Sequence, residues 1–419
     1  MNTPLRIGFL GASRGMDFAA AAIGYPYASV AAICESYQPL CDKAQAYFRE
    51  KGIEVECYTD FDAFLEQSGI DALVIANYAN KHAPYAIRAL EKGIHVLSEV
   101  LPVQTPAEGA ALVNAVEKSG CIYAYSENYC CFDANFLMRR HYEAGDIGEA
   151  FCLEGTFIND CSFKWHLLTR GIRDHWRNYV PSTFYCTHSI GPMFYSTGRR
   201  AVRVNGLEIP RMDYMAEGGA RSGSAGMEVM ELDNGGMARS MNGNLRHPYE
   251  ASYRLIGEHG SIVSDGSTLH VLAHQKDWVY DRNTPAVHYP EFVYRPENGD
   301  LGSIRNSDAT MMGFFIGAIL GDAECKKYII DVYQALDMSL PGLFAYRSIV
   351  DHGMPYAVPD FRDPVVRAQY ENDIWSTDPE TPEEFRLPTS KTGTPDVDES
   401  VYEAVRARFA AVDLTPGMK

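Results

Sequence analysis

The 419-residue sequence has no excess of basic residues and no long apolar run, and these two absences exclude whole classes of partner. Lys and Arg number 37 against 55 Asp and Glu, which gives a formal net charge of −18. Nucleic-acid binding depends on clustered basic side chains, so we predict no nucleic-acid partner. The apolar runs are too short and too interrupted to span a bilayer, so we predict no membrane partner either.

Patterns typical of leaders, disulfide scaffolds and metal sites are also lacking. The first residues lead directly into an apolar strand instead of a signal peptide. The ten cysteines are scattered and match neither a small disulfide framework nor the spacing of a zinc site. We therefore expect reduced thiols, no metal and a cytoplasmic protein.

The first third of the chain alternates short apolar strands with helical periodicity, and this predicts βαβ units around a parallel sheet. The strands are predicted at 6–10, 30–34, 72–76, 95–98 and 122–125. Helices are predicted at 39–51, 82–92 and 106–119. The length and the 46% hydrophobic content suffice for two packed domains. We expect a doubly wound nucleotide-binding domain at 1–125.

After residue 150 the sequence contains longer segments in which apolar and polar residues alternate. This pattern predicts an open, mostly antiparallel sheet with helices on one face. Strands are expected at 227–232, 236–241, 253–256 and 261–264, with a turn at Asn234-Gly235 and helices at 309–321 and 327–345. We assign 126–375 to an α+β domain for substrate binding and oligomerisation. Residues 376–419, rich in Pro, Thr and charge, are expected to form an extended arm with a short helix near 399–411.

The run GFLGASRG at 8–15 is a glycine-rich turn between a strand and a helix, where backbone N–H groups can hold a pyrophosphate. Gly11, Ser13 and Arg14 are the candidate cofactor residues of this turn, although Ser13 stands where a second glycine is usual. Glu35 ends the second predicted strand, where an acidic side chain accepts hydrogen bonds from the ribose hydroxyls of NAD and repels the 2′-phosphate of NADP. A solvated charge at a strand end is the alternative for Glu35.

The run SEVLP at 98–102 follows the strand that would end beside the nicotinamide. It resembles a signature of the Gfo/Idh/MocA family of sugar oxidoreductases, in which Glu-Lys-Pro is usual and the Lys helps to move a substrate proton. Here the Lys is absent, and Glu99-Val100-Leu101-Pro102 is similar to the Glu-Val-Pro of the NAD-dependent glycosidases in that family, the α-N-acetylgalactosaminidase-like enzymes of glycoside hydrolase family 109. The resemblance implies a Rossmann domain, NAD as cofactor, and Glu99 beside both cofactor and substrate.

The run DALVIANYANKH at 71–82 is similar to the family's fourth strand and the loop that follows it. The resemblance implies that Asn77, Asn80 and His82 lie along the nicotinamide ribose. Taken singly, His82 would be a helix-start residue. A dinucleotide site is indicated by an ordered series of residues along the chain, namely Gly11, Glu35, Asn77, Asn80 and Glu99.

Several later motifs are similar to the glycosidase branch, so that the likeness covers roughly residues 5 to 365. They are SENYCC at 126–131, EGTFIND at 154–160, WR at 176–177 and YCTHSIGP at 185–192. The resemblance implies substrate contacts at Asn128 and Asn159. This sequence departs from the branch at Phe157, where a Tyr is usual, and at Asn159, where a His is usual.

A bound NAD+ permits glycoside cleavage without the usual pair of carboxylates. Oxidation at C3 of the sugar acidifies the C2 hydrogen, the aglycone leaves by elimination, water adds, and the ketone is reduced again. His188 is the first candidate to take the C3 hydroxyl proton, because imidazole titrates near neutral pH. Tyr185 lies three residues earlier and would reach the same pocket if the segment is a helical turn. Arg173, Trp176 and Arg177 are candidate substrate contacts, the two arginines through their fixed donor forks.

Structural roles remain open for these residues. Tyr185 and His188 could be packing and hydrogen-bonding groups, and Glu127, Asn128 and Glu154 could satisfy buried backbone groups. The aromatic cluster could stack on a sugar or form an ordinary core; its members are Phe157, Phe163, Trp165, Trp176 and Tyr179.

Three functions compete at this point. An NAD-dependent glycoside hydrolase with a transient 3-keto sugar leads, a sugar or cyclitol dehydrogenase follows if Phe157 removes the C2 base, and a non-catalytic NAD-binding sensor is third. The partner would be a small carbohydrate or glycoside. The open sheet face of the second domain would leave apolar positions exposed, so we also expect a homodimer or homotetramer.

Overall fold

The computed structural model describes residues 4–273, 286–289 and 306–412, and its first 126 residues alternate strands and helices. The elements of this part are β1 (Leu5–Leu10), α1 (Gly15–Ala22), β2 (Ala28–Cys34), α2 (Gln38–Glu50), β3 (Glu56–Tyr58), α3 (Phe61–Gln67), β4 (Ala72–Ile75), α4 (His82–Glu91), β5 (His95–Glu99), α5 (Pro106–Ser119) and β6 (Tyr123–Ser126). Every strand and helix that the sequence predicted here forms within two residues of its predicted bounds. β3 and α3 were not predicted.

The six strands form one parallel sheet in the order β3-β2-β1-β4-β5-β6. β4 is buried along its whole length, as expected for a strand with helices on both faces. The strand order reverses direction between β1 and β4, and ligands of doubly wound sheets bind outside the carboxyl ends of the strands at such a point. The predicted Rossmann fold is confirmed.

The turn after β1 leaves no room for a side chain at position 11, where the chain has Gly11. Its φ is +101°, and a Cβ at this position would lie 2.7 Å from the carbonyl oxygen of Ala76. The turn can therefore approach the end of β4 only with glycine at this residue.

The rest of the described chain contains β7 to β15 and α6 to α14. The elements are α6 (Asp133–Glu143), β7 (Ala150–Ile158), α7 (Trp165–Thr169), α8 (Thr187–Thr197), β8 (Ala201–Ile209), α9 (Asp213–Ala216), β9 (Ala225–Leu232), β10 (Met237–Gly243), β11 (Glu250–Gly257), β12 (Gly260–Ser264), β13 (Leu269–Leu272), β14 (Ala286–His288), α10 (Ser307–Ile319), α11 (Ala323–Tyr328), α12 (Val332–Val350), β15 (Tyr356–Ala357), α13 (Pro364–Ala368) and α14 (Glu399–Ala410).

Nine strands form the second sheet, in the order β14-β13-β12-β11-β7-β10-β9-β8-β15. Among the strand pairs of this second sheet that the structure describes, only β7 and β10 are parallel. The expected mostly antiparallel sheet is confirmed. α8 packs on β7 and α12 packs on β8, which covers one face of the sheet. The hairpin turn at Asn234-Gly235 forms as predicted, with φ +80° at Gly235.

The predicted helix at 327–345 was misplaced. Tyr328 ends α11, and α12 begins at Val332 after Asp331. The Asp331 side chain accepts from the Gln334 backbone N–H, and the Gln334 side chain accepts in return from the Asp331 N–H. This capping box fixes the helix start, and the sequence interpretation overlooked its Asp-x-x-Gln signal.

After Trp375 the described chain forms few regular elements until α14, as expected for an arm. The arm packs on two segments of the preceding part: Thr389 Oγ1 donates at 2.8 Å to the carbonyl of Arg221, between α9 and β9, and Arg406 donates at 3.0 Å to the carbonyl of Gly171, just after α7. None of the ten cysteines forms a disulfide. Within the described ranges no helix is both long enough and apolar enough to cross a bilayer. The domain boundaries after 125 and 375 remain a prediction.

Candidate active site

A cavity of about 320 Å³ opens between the two sheets, at the point where the order of the first sheet reverses. The turn after β1 and the ends of β4 and β5 form one wall, and the ends of β7 and β10 with the segment before α8 form the other. Eight of the predicted site residues line it together: Arg14, Asn77, Glu99, Asn159, Trp176, Arg177, Tyr185 and His188. Residues up to 174 positions apart in the sequence thus meet at one site, as the family motifs implied.

Arg14 and Glu99 form the centre of the wall on the Rossmann side. The Arg14 Nε donates to Glu99 Oε1 at 3.1 Å, and its two terminal nitrogens donate to Asp308 at the start of α10 at 2.6 and 2.7 Å. Burial raises the pKa of Glu99, although the neighbouring Arg14 guanidinium opposes this shift. This partly buried pair links the glycine-rich turn to the end of β5.

Glu35 stands at the end of β2 and faces the same turn. Its Oε2 accepts from the Ala12 N–H at 3.0 Å, and its Oε1 accepts from the Tyr37 N–H at 3.0 Å. Ser13 is exposed at the tip of the turn. In this position the Glu35 carboxylate can accept hydrogen bonds from the ribose hydroxyls of a bound dinucleotide.

Asn77 follows β4 and lines the cavity, and its buried Oδ1 accepts no hydrogen bond from the residues that the structure describes. A buried polar atom without a partner calls for an outside donor. Together with the close turn at Gly11 and the carboxylate of Glu35, this unpaired acceptor fits a dinucleotide with a carboxamide end.

Glu127 and His188 form the main polar pair on the opposite wall. Glu127 follows β6 and is completely buried, and His188 is the second residue of α8. The His188 Nδ1 lies 2.9 Å from Glu127 Oε1 and 3.0 Å from Oε2. A carboxylate that accepts the Nδ1 proton leaves Nε2 as the ring nitrogen that can take a proton. The rings of Phe157 and Tyr129 flank the imidazole, with centroids at 4.6 and 4.7 Å.

Tyr185 lies one turn before His188, with ring centroids 5.7 Å apart. The guanidinium of Arg177 lies 5.5 Å from the Tyr185 ring and 4.7 Å from the Trp176 ring. Burial raises the pKa of Tyr185, and the neighbouring Arg177 acts in the opposite direction. The phenol therefore keeps its proton at neutral pH and can donate it in a hydrogen bond.

Besides Gly11, Ser13 and Glu35 at the turn after β1 and the end of β2, four predicted site residues are not part of the cavity lining. Arg173 points to the arm, where it pairs with Asp396 at 3.2 Å and Glu399 at 3.4 Å. Asn80 donates to Asp378 of the arm at 2.9 Å. Asn128 begins a short 3-10 helix beside Glu127.

His82 is the fourth of these residues, and it supports the cavity from behind. Its Nδ1 lies 2.8 Å from the Glu99 carbonyl and 3.0 Å from the Leu101 carbonyl, and its Nε2 lies 3.3 Å from the Asn77 carbonyl. Burial lowers its pKa to about 4, so the ring is neutral. His82 holds together the ends of the strands that carry the cofactor residues.

Sequence reasoning missed Lys164, Asn242 and Glu228. Lys164 and Asn242 line the cavity, and Asn242 Nδ2 donates to the buried Glu228 at 3.2 Å. Burial raises the pKa of Glu228 to about 8. Glu228 and Asn242 occupy inward-facing positions of alternating strands, and this pattern of polar residues among apolar neighbours was a readable signal. Glu127 was considered only as a structural group.

The fold and the cavity define a two-part protein with a nucleotide-binding Rossmann sheet and an open substrate-side sheet. Residues 5–127 match the profile of the GFO_IDH_MocA oxidoreductase family with an NAD-binding Rossmann fold, so this part of the chain is similar to the NAD-binding domain of that family. The predicted resemblance to this family and the predicted cofactor NAD are therefore confirmed, and the match agrees with the predicted NAD-dependent enzyme.

Two curated relatives belong to the branch that the motifs indicated. A glycosyl hydrolase family 109 protein of Bacteroides thetaiotaomicron is 26% identical over 61% of this chain and 59% of its own length. An α-N-acetylgalactosaminidase of Bacteroides fragilis is 30% identical over 39% of this chain and 41% of its own length. The chain thus spans less than two thirds of both relatives.

Among solved structures, a levoglucosan dehydrogenase in complex with NADH and levoglucosan has a similar fold. It superposes with a TM-score of 0.67 at 19% identity, over 85% of this chain and 100% of that chain. This likeness shows the shared fold.

Proposed function

We propose that the protein is an NAD-dependent glycoside hydrolase that acts through a transient 3-keto sugar, with no net oxidation. The observation that carries this proposal is the imidazole of His188, which Glu127 holds at 2.9 Å in a cavity that also contains the cofactor residues. The glycosidase names of the curated relatives support it.

Each residue of the site has a role that follows from the chemistry of its side chain. Bound NAD+ would accept a hydride from C3 of the sugar and return it at the end of the cycle. His188 takes the C3 hydroxyl proton through Nε2, and Glu127 stabilises the imidazolium that results. Tyr185 retains its proton and donates to a sugar oxygen, while Asn159 and Trp176 position the ring of the substrate.

Phe157 favours a second candidate, a sugar or cyclitol dehydrogenase. It stands where the glycosidase branch has a tyrosine, and its ring lies 4.6 Å from that of His188. A phenyl ring can take no proton from C2, so an enzyme with no other C2 base would stop at the ketone. The levoglucosan dehydrogenase with a similar fold supports this alternative.

The test is a panel of nitrophenyl glycosides, assayed with and without NAD+ while the NADH absorbance is followed. For the hydrolase we expect aglycone release that needs catalytic NAD+, no accumulation of NADH, and deuterium at C2 of the sugar released in D2O. NADH that grows in proportion to the substrate consumed would identify the dehydrogenase. Release without deuterium at C2 would overturn the elimination route, and turnover of no glycoside or sugar would favour the sensor.

The variant His188→Ala separates the proposed base from a structural histidine. We expect turnover to fall by roughly a hundredfold or more, the usual size of general acid–base effects. His141→Ala is the control, because His141 pairs with Asp146 at 2.6 Å and is not among the cavity residues. Full activity of His188→Ala would remove His188 from the mechanism.

We also propose a cytoplasmic homodimer or homotetramer that acts on a small carbohydrate. The ten cysteines form no disulfide, which supports a reducing compartment. The uncovered face of the second sheet carries exposed apolar side chains, which supports self-association; Leu207, Val229 and Met237 are 60%, 47% and 63% exposed.

A further inference from the structure

Two cationic side chains from the second part of the chain line the cavity. Lys164 ends a short 3-10 helix before α7, and Arg177 lies in the next one, Trp176–Asn178. Neither side chain forms an ion pair with any carboxylate of the described residues. The protein carries a net charge of −18, so two uncompensated cations in one cavity are unexpected without a ligand of opposite charge.

The other charged side chains of the cavity do not neutralise these two. Glu99 is paired with Arg14, and Arg14 is paired further with Asp308. Asp160 lies close in sequence to Lys164, but it accepts from the Ser162 N–H at 2.8 Å and lines a separate groove. Both cationic side chains are therefore available to a charged ligand: Lys164 and Arg177 line the cavity, and the Lys164 Nζ also lies 5.8 Å from the centroid of the Phe163 ring.

The guanidinium of Arg177 lies against two aromatic rings. Its guanidinium carbon lies 4.7 Å from the Trp176 ring centroid and 5.5 Å from that of Tyr185. Stacking restricts the rotation of the side chain and leaves the N–H edges of the guanidinium available for hydrogen bonds. A planar fork of this kind matches a carboxylate in a two-point contact, and Lys164 adds a point charge.

We propose that the sugar bound in this cavity carries a carboxylate, as a uronic acid does, and that Lys164 and Arg177 bind it. The inference rests on the proposed function only in that a sugar occupies the cavity. Tyr185 lies between Arg177 and His188, so the acidic substituent sits on one side of this tyrosine and the reacting hydroxyl on the other.

Calorimetric titration of the NADH-loaded protein tests this assignment without turnover. The probes are methyl glucuronide and methyl galacturonide, the matching neutral methyl glucoside and galactoside, and the 6-sulfates of both neutral glycosides. We expect one uronide to bind at least about tenfold more tightly than its neutral partner, because hydrogen bonds to charged groups are stronger than neutral ones.

Lys164→Gln should lower the affinity for that uronide by about tenfold and change the affinity for the neutral glycoside by less than about twofold. Lys92→Gln is the matched control, since Lys92 pairs with Glu66 and does not line the cavity. Equal binding of uronide and neutral glycoside would overturn the proposal, and so would an unchanged preference in Lys164→Gln. Tighter binding of a 6-sulfate than of either uronide would overturn the assignment to a carboxylate.

These outcomes are distinguishable from failure of the proposed function. Cleavage of neutral glycosides with no preference for uronides would refute the acidic substrate and leave the glycosidase intact. Preferential uronide binding without cleavage or oxidation of any uronide would refute the glycosidase and leave the binding site intact.

Discussion

The Nδ1 atom of His188 lies between the two carboxylate oxygens of Glu127, at 2.9 and 3.0 Å, and Glu127 is completely buried. A buried carboxylate in this position orients the imidazole and stabilises its protonated form.

We expect Glu127→Gln to lower turnover by about a hundredfold or more, because an amide cannot stabilise the imidazolium. The rate should be measured from about pH 5 to about pH 9, since loss of a charge beside the imidazole should shift the pH–rate profile. A purely structural role would lower the amount of folded enzyme and leave the profile in place.

Glu117→Gln is the control for this variant. Glu117 binds Tyr333 and Arg367 and is not among the cavity residues. An unshifted profile and a normal rate in Glu127→Gln would contradict the positioning role.

Glu35 predicts the cofactor preference. We expect the unaltered protein to bind NADH more tightly than NADPH, because the carboxylate at the end of β2 repels a 2′-phosphate. Glu35→Ala should weaken NADH binding and narrow the preference, as measured by titration with both cofactors. Glu50→Ala, at the exposed end of α2, should change neither affinity. Equal affinities of the unaltered protein for both cofactors would refute this assignment.

Glu228 predicts how stability depends on pH. Burial raises its pKa from 4.5 to about 8, so the folded protein keeps a proton that the unfolded chain loses. This difference in ionisation lowers the free energy of unfolding. The loss is absent below pH 4.5, grows as the pH rises, and is complete above about pH 8. Glu228→Gln removes it, so the stability of this variant relative to the unaltered protein should increase between about pH 5 and pH 8, by up to a few kcal/mol.

Denaturant unfolding at both pH values measures this difference. Glu231→Gln serves as the control, because Glu231 is exposed on the same strand and pairs with Arg203. A stability difference between Glu228→Gln and the unaltered protein that is the same at both pH values would show that Glu228 is already ionised in the folded state.

The uncovered face of the second sheet predicts self-association. Val229 lies on this face beside Arg239 in the register of β9 and β10, with Leu207 and Met237 nearby. Val229→Lys should reduce the homodimer or homotetramer to a monomer, because a charge would be buried in the interface. Sedimentation at micromolar concentration measures the mass, and Val365→Lys, at an exposed site on α13, is the control. A monomeric unaltered protein would contradict the proposal.

Local sequence determined the Rossmann half almost completely. Strand and helix periodicity placed β1 to β6 except β3, and the glycine-rich turn and Glu35 marked the cofactor side. These features are readable because each depends on the neighbours of a residue in the chain: a buried parallel strand needs a short apolar run, and the close turn needs Gly11. The resemblance of YCTHSIGP to a known motif placed Tyr185 and His188 for the same reason.

Only the tertiary structure decided which side chains face each other. Arg173 and Arg177 are four residues apart and were equal candidates, yet one pairs with the arm and the other lines the cavity. Glu127 acquires its role from His188, 61 residues later in the chain. Lys164 belongs to no recognised motif and becomes informative because no carboxylate among the described residues pairs with it. Periodicity reports which face of its own helix or strand a residue occupies, whereas its partners depend on how distant elements pack.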